Sequence, residues 1–193
     1  MAPRAIIFDL DGTIWDSEPW FARLLGAQGG PGASEYERLL RSGTSIVKLI
    51  ARRAAFVRIA TASISSLNLY PEIRKVLALL SEKNVGLGVF TSLPGWIVEP
   101  IVSGLGIDSH FKAVIHAGNC HQRKPHPMGI FNAIGALGVQ AGPTVYYVGD
   151  REVDSRTARN AGISFAWASY GYGSTAPQFV TAKIDEPMQI LTI

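Results

Sequence analysis

Ala5-Ile6-Ile7-Phe8-Asp9-Leu10-Asp11-Gly12-Thr13 is an apolar run that stops abruptly at two acids and a glycine. Four apolar residues, two of them isoleucine, predict a short buried strand, and Gly12 marks the turn that ends it. Such a run is apolar throughout rather than alternating, which suits a parallel sheet covered on both faces. Runs of the same kind follow at Val85 to Phe90, Ala113 to Ile115, Thr144 to Val148 and Ile163 to Ala168.

Helical stretches separate these runs. Glu72 to Lys83 places Ile73, Val76, Leu77 and Leu80 on one face. Pro94 to Leu105 and Pro127 to Leu137 both open on proline, which the first helical turn tolerates, and both are followed by glycine. Arg151 to Ala161 closes at Gly162. Strand and helix in alternation predict a doubly wound α/β fold with right-handed crossovers. Asp16 to about Leu69 breaks the alternation and contains no convincing strand. Ser34 to Arg41 and Thr44 to Ser65 read as helices. In the second, Ile46, Ile50, Ala54, Val57, Ala60 and Ile64 form an apolar stripe opposite Lys48, Arg52 and Arg58. A helical insertion after the first strand is expected.

In open parallel sheets, ligands bind beyond the carboxyl ends of the strands. The polar residues of this chain gather there. The first strand delivers Asp9 and Asp11, the second Thr91 and Ser92, and the fourth Asp150. Lys124 follows the third strand, and Asp154 lies one helical turn past Asp150. Crowded carboxylates repel one another, and a divalent cation relieves them. Magnesium keeps several waters, so one or two carboxylates suffice to hold it. A lysine and a hydroxyl beside the cation make a cradle for phosphate. Asp9 is then placed to attack phosphorus, with Asp11 as acid and base. A calcium loop fits poorly, because an EF-hand needs further acids and a closing glutamate.

Four motifs carry a resemblance to a known family. They are Phe8-Asp9-Leu10-Asp11-Gly12-Thr13, Val89-Phe90-Thr91-Ser92, Arg123-Lys124-Pro125-His126-Pro127, and Tyr147-Val148-Gly149-Asp150-Arg151-Glu152-Val153-Asp154. Together they resemble haloacid-dehalogenase superfamily hydrolases, in the branch of phosphoglycolate phosphatase and β-phosphoglucomutase. The resemblance covers residues 4 to 16 and 70 to 175 and is weak between them.

It implies a Rossmann-like core, residues 1–15 and 70–193, with a small helical cap at 16–69. It implies that Asp9 forms an aspartyl-phosphate and that Asp11 protonates the leaving oxygen, then activates water. Thr91 and Ser92 would bind the phosphoryl group, and Lys124 would neutralise Asp9 and the transferring group. Asp150, the Asp9 carboxylate and the Asp11 backbone carbonyl would ligate Mg2+, with Asp154 supporting the metal. The second acid, Asp11, argues against dehalogenation. Ser92 stands where many relatives have Asn, and Arg151 where Ser is frequent. The cap is shorter than most. Its Arg41-Ser42-Gly43-Thr44 resembles the loop that dips toward the site, making Arg41 and Thr44 candidates for substrate recognition. A plain turn with Thr44 as a helix N-cap is the other reading.

The expected activity is therefore hydrolysis of a small phosphorylated metabolite, like phosphoglycolate or a sugar phosphate. A phosphomutase and a non-catalytic phosphate-binding regulator are the alternatives. Composition agrees. Hydrophobic residues make up 47% of the 193, enough for a core. A net charge of +3 is spread along the chain, which suits anionic small molecules better than nucleic acid. The single cysteine, Cys120, cannot form an internal disulfide. His110, His116, His121 and His126 lack the spacing of a zinc site. The first apolar run is too short for a signal peptide and no stretch is long enough to span a membrane. A cytoplasmic monomer or homodimer, without nucleic-acid or membrane partners, is expected.

Overall fold

The computed structural model describes residues 2–17, Pro19 and residues 67–193. The expected helices Ser34 to Arg41 and Thr44 to Ser65 lie outside the described residues, as do Arg41 and Thr44.

Six strands form one parallel sheet in the order β5-β4-β1-β6-β7-β8. They are β1 (Ala5–Phe8), β4 (Gly86–Phe90), β5 (Ala113–Ile115), β6 (Val145–Gly149), β7 (Ser164–Ala168) and β8 (Ala182–Ile184). β1 is central and buried throughout, paired in register with β4 on one side and β6 on the other. Chain order reverses around β1, with β4 and β5 to one side and β6, β7 and β8 to the other. That reversal is the switch point where open α/β sheets place their ligands.

Helices α1 (Ile73–Glu82), α2 (Gly95–Gly104), α3 (Met128–Leu137) and α4 (Glu152–Ala161) cover the sheet on both faces. Two apolar clusters result. One gathers Ile6, Phe8 and Val89 with residues of α1 and α2, including Ile73, Val76, Ile97 and Val98. The other gathers Ile7, Tyr147 and Phe165 with Ile130, Ala133 and Ala158 of α3 and α4. Adjacent residues of β1 therefore point into opposite cores, as strand geometry requires. This double burial is why its sequence is apolar without alternation.

Two expectations are corrected. The segment after Asp16 was expected to lack strands, yet β2 (Trp15–Asp16) pairs antiparallel with β3 (Asn68–Leu69). This two-stranded ribbon lies where the chain leaves the sheet and where it returns. Two-residue strands carry no periodicity to detect. The sheet also has a sixth strand, β8, beyond the five expected.

Candidate active site

Asp9 follows the last residue of β1, and its N–H still donates to the Val148 carbonyl, 2.8 Å away. The sheet thus fixes the backbone at the point where the carboxylate emerges. Asp9 Oδ1 accepts the Leu10 N–H at 2.8 Å and lies 2.9 Å from Lys124 Nζ. The same ammonium sits 2.8 Å from Asp154 Oδ1. Lys124 is shared between two buried acids, its side chain 3% exposed against 11% for Asp9 and 0% for Asp154.

Asp154 Oδ2 accepts the Arg151 N–H at 3.1 Å, capping the first turn of α4. One carboxylate therefore starts the helix and holds the lysine. Tyr147, inside β6, supports the arrangement from below. Its hydroxyl lies 2.8 Å from the Phe90 carbonyl and 3.2 Å from Asp154 Oδ1. Lys124 Nζ sits over the Tyr147 and Phe90 rings, 5.2 and 5.4 Å from their centroids. Cation–π attraction of this kind strengthens when water is excluded.

Asp150 ends the β6 run and is fully buried. Its Oδ2 accepts the Tyr172 N–H at 2.9 Å, and its backbone carbonyl accepts the Trp167 indole N–H at 3.2 Å. Its Oδ1 is buried and has no hydrogen-bond partner among the described residues. The turn that holds Asp150 depends on glycine. A Cβ on Gly173 would stand 1.9 Å from the Asp150 carbonyl oxygen, and one on Gly171 2.2 Å from the Gly12 carbonyl oxygen. Backbone atoms cannot step aside as a flexible side chain can. Gly173→Ala is expected to lose about 1–3 kcal/mol of stability from this overlap. A urea titration gives the loss directly, and a midpoint equal to wild type would show that the turn yields.

Asp11 accepts a hydrogen bond from the Ser17 hydroxyl. Tyr172 reaches the same corner, donating its hydroxyl to Asp16 Oδ1 at 2.8 Å. Tyr170 donates to the Thr13 carbonyl at 2.9 Å and packs edge-on against Tyr70, their centroids 5.0 Å apart. These tyrosines bind the loop after β7 to the loop after β1 and the β2–β3 ribbon. Thr91 and Ser92 follow β4 and line a small crevice together with Lys124. Thr91 is buried, and its Oγ1 accepts the Leu93 N–H at 3.2 Å.

All seven core residues singled out in the sequence thus lie around the carboxyl ends of β1, β4 and β6. Asp9, Asp150 and Asp154 each present an oxygen within 4.8 Å of the other two. Sequence reasoning missed Tyr147, Ser17, Tyr172 and the paired glycines. It also missed that Asp154 grips Lys124 across 30 residues, a contact that no local pattern reports.

Burial dominates the electrostatics of the cluster. Burial pushes the Asp9 carboxyl up to about 7, against the pull of Lys124 and with the push of Asp154. Burial, with the neighbouring Asp154 and Asp9 charges, pushes Asp150 up to about 8. Burial pulls Lys124 down, but Asp154 and Asp9 outweigh it and hold the ammonium above the ordinary lysine value. Three clustered carboxylates, an orphaned buried oxygen on Asp150 and an all-oxygen donor set fit a hard divalent cation.

A stability signature follows. Both acids have pKa values above the ordinary 3.8, so the folded chain keeps protons that the unfolded chain releases. Stability of the metal-free protein should fall as pH rises from about 4 to about 8. Thermal melts across that range, with chelator and with magnesium, measure it. Magnesium is expected to flatten the slope. The same slope under both conditions would mean that no cation enters the cluster.

Comparison with known proteins agrees with the geometry. The family of haloacid dehalogenase-like hydrolases matches residues 32–168. The chain belongs to this family. A phosphoglycolate phosphatase of Yersinia pestis is 30% identical to this haloacid dehalogenase-like hydrolase over 193 aligned residues, 89% of this chain and 83% of that one. A phosphoglycolate phosphatase of Pasteurella multocida is 29% identical over 98% of this chain and 97% of its own. Among solved structures, a HAD phosphatase from Thermococcus onnurineus superposes with a TM-score of 0.77 at 20% identity, covering 100% of this chain and 97% of that one. That likeness bears on the fold alone, an α/β core with a six-stranded parallel sheet. None of the helices among the described residues is long and apolar enough to cross a membrane.

Proposed function

We propose that the protein is a magnesium-dependent phosphatase that hydrolyses a small phosphate monoester through an aspartyl-phosphate on Asp9. The observation that carries this is the buried ammonium of Lys124, 2.9 Å from Asp9, together with the Oδ1 of Asp150, which has no partner among the described residues. A nucleophile, a fixed positive charge and a cation site meet in one small volume. Phosphoryl transfer asks mainly for positioning and charge stabilisation, which this arrangement supplies.

A carboxylate oxygen of Asp9 bonds to phosphorus as the ester P–O bond breaks. Asp11 gives its proton to the departing oxygen, and the alcohol leaves. Asp11 then takes a proton from water, whose oxygen attacks phosphorus. The Asp9–phosphorus bond breaks, inorganic phosphate is released and Asp9 is restored. Lys124 pulls the Asp9 carboxyl toward its ionised form against the effect of burial and offsets charge on the phosphoryl oxygens. Thr91 and Ser92 bind those oxygens through hydroxyl and backbone N–H. Asp9, the Asp11 carbonyl and Asp150, with Asp154 in support, would hold Mg2+, which would supply positive charge to the phosphoryl group when bound.

Residues 16–69 serve as the cap, and Arg41 and Thr44 read the substrate from it. Phosphoglycolate leads the substrate classes, in keeping with the names of the relatives, and sugar phosphates are the other class. The protein acts in the cytoplasm as a monomer or homodimer. Phosphate release from a panel of monoesters, with magnesium or with chelator, tests the reading. Turnover that requires magnesium is the expected result. Retention of phosphate in an isomerised product would favour a mutase instead, and inertness across the panel would overturn the phosphatase.

A further inference from the structure

The carboxylate cluster has a second cationic neighbour besides Lys124. Arg151, the residue before α4, places its guanidinium Nε 3.7 Å from Asp150 Oδ2. Its backbone is held in place twice over, because its N–H donates to Asp154 Oδ2 and the peptide before it accepts the Trp167 indole N–H. The guanidinium stem is therefore rooted beside Asp150 and Asp154. Its side chain is 34% exposed, so water screens it only in part.

At 3.7 Å the contact with Asp150 is too long to be a hydrogen bond. The Tyr172 N–H, at 2.9 Å, already orients that oxygen. Arg151 thus acts on Asp150 through charge and not by aiming it. A positive charge beside a carboxylate lowers that carboxylate's attraction for any other cation.

We propose that Arg151 is a positioning residue of charge, one that weakens the grip of the Asp9, Asp150 and Asp154 cluster on its divalent cation. This rests on the metal reading of the site given above. Three carboxylates offset by two cations hold a divalent ion less firmly than three offset by one. The loaded site then carries more positive charge toward a phosphate dianion.

The test is calorimetric titration of the metal-free full-length protein with magnesium chloride, for wild type, Arg151→Gln, Arg151→Lys and Asp150→Asn. Arg151→Gln removes the charge and is expected to bind magnesium roughly tenfold more tightly, with the gain shrinking as salt is raised. Arg151→Lys keeps the charge and should stay within about threefold of wild type. Asp150→Asn should abolish binding. If wild type binds and Arg151→Gln binds equally or more weakly, the role given to Arg151 is overturned while the cation site stands. If wild type and Asp150→Asn both bind no magnesium, the cation site itself is overturned and the role of Arg151 with it.

Discussion

Asp9→Asn should lower kcat by at least about 10⁴-fold, because the amide cannot form the acyl phosphate. The fold should survive. Asp9 sits beyond the end of β1, and its N–H to Val148 does not involve the side chain. Asparagine keeps an oxygen for the Leu10 N–H and Lys124, both of which meet Oδ1. The substitution also removes one negative charge from a crowded, buried cluster in which Asp9 raises the pKa of Asp150. The metal-free variant should therefore melt at or above the wild-type temperature near pH 8, the reverse of what a damaged core would give. Steady-state phosphate release and a thermal melt together check this. Residual turnover within tenfold of wild type would mean that water is activated directly and that Asp9 only binds.

Lys124→Met should have the next largest effect, and it should appear in two measurements at once. Turnover should drop by about 10³-fold, the order expected when one charged stabiliser is lost. Stability should drop too. The ammonium is the shared partner of Asp9 and Asp154, and its removal leaves two carboxylates buried without their cation. Breaking a buried pair in this way costs about 3–5 kcal/mol. The loss should be greater at high pH than at low pH. Below the Asp9 value of about 7 the carboxyl takes a proton and the uncompensated charge disappears. Urea titrations on either side of that value check the sign. A pH-independent loss would point to packing against Tyr147 and Phe90 as the main role of Lys124. The methylene stem accounts for part of any such loss.

Much of the fold was legible because its signals are local. β1, β4, β5, β6 and β7 are short apolar runs, and the prolines and glycines that flank α2, α3 and α4 stand at their ends. The helix predicted from Glu72 begins at Ile73, since Glu72 adopts φ 64° and is excluded from the helix. β8 was not legible. Ala182-Lys183-Ile184 exposes Lys183 on a three-residue edge strand, so it lacks both the length and the apolar run that marked the others. β2 and β3 exist only as each other's partners.

The site shows the same division. Asp9, Asp11 and Asp150 stand at strand ends, where sequence order alone places them together. The partnerships that make them work are long-range. Asp154 reaches Lys124 over 30 residues, Tyr147 reaches Phe90 over 57, and Tyr172 reaches Asp16 over 156. Each depends on the sheet order β5-β4-β1-β6-β7-β8, which brings separate loops to one edge. Gly171 and Gly173 belong to this class as well. Each is required by a backbone atom from another loop, and neither need is visible in its neighbours.

Asp9 is expected to carry the phosphoryl group during turnover. Rapid acid quench of the working enzyme with a phosphate ester, followed by mass spectrometry of its peptides, tests it most directly. One phosphoryl adduct is expected, on the peptide containing Asp9, formed in the presence of magnesium and absent from Asp9→Asn. Turnover at full rate with no adduct at any time point, or an adduct on another residue, would contradict it.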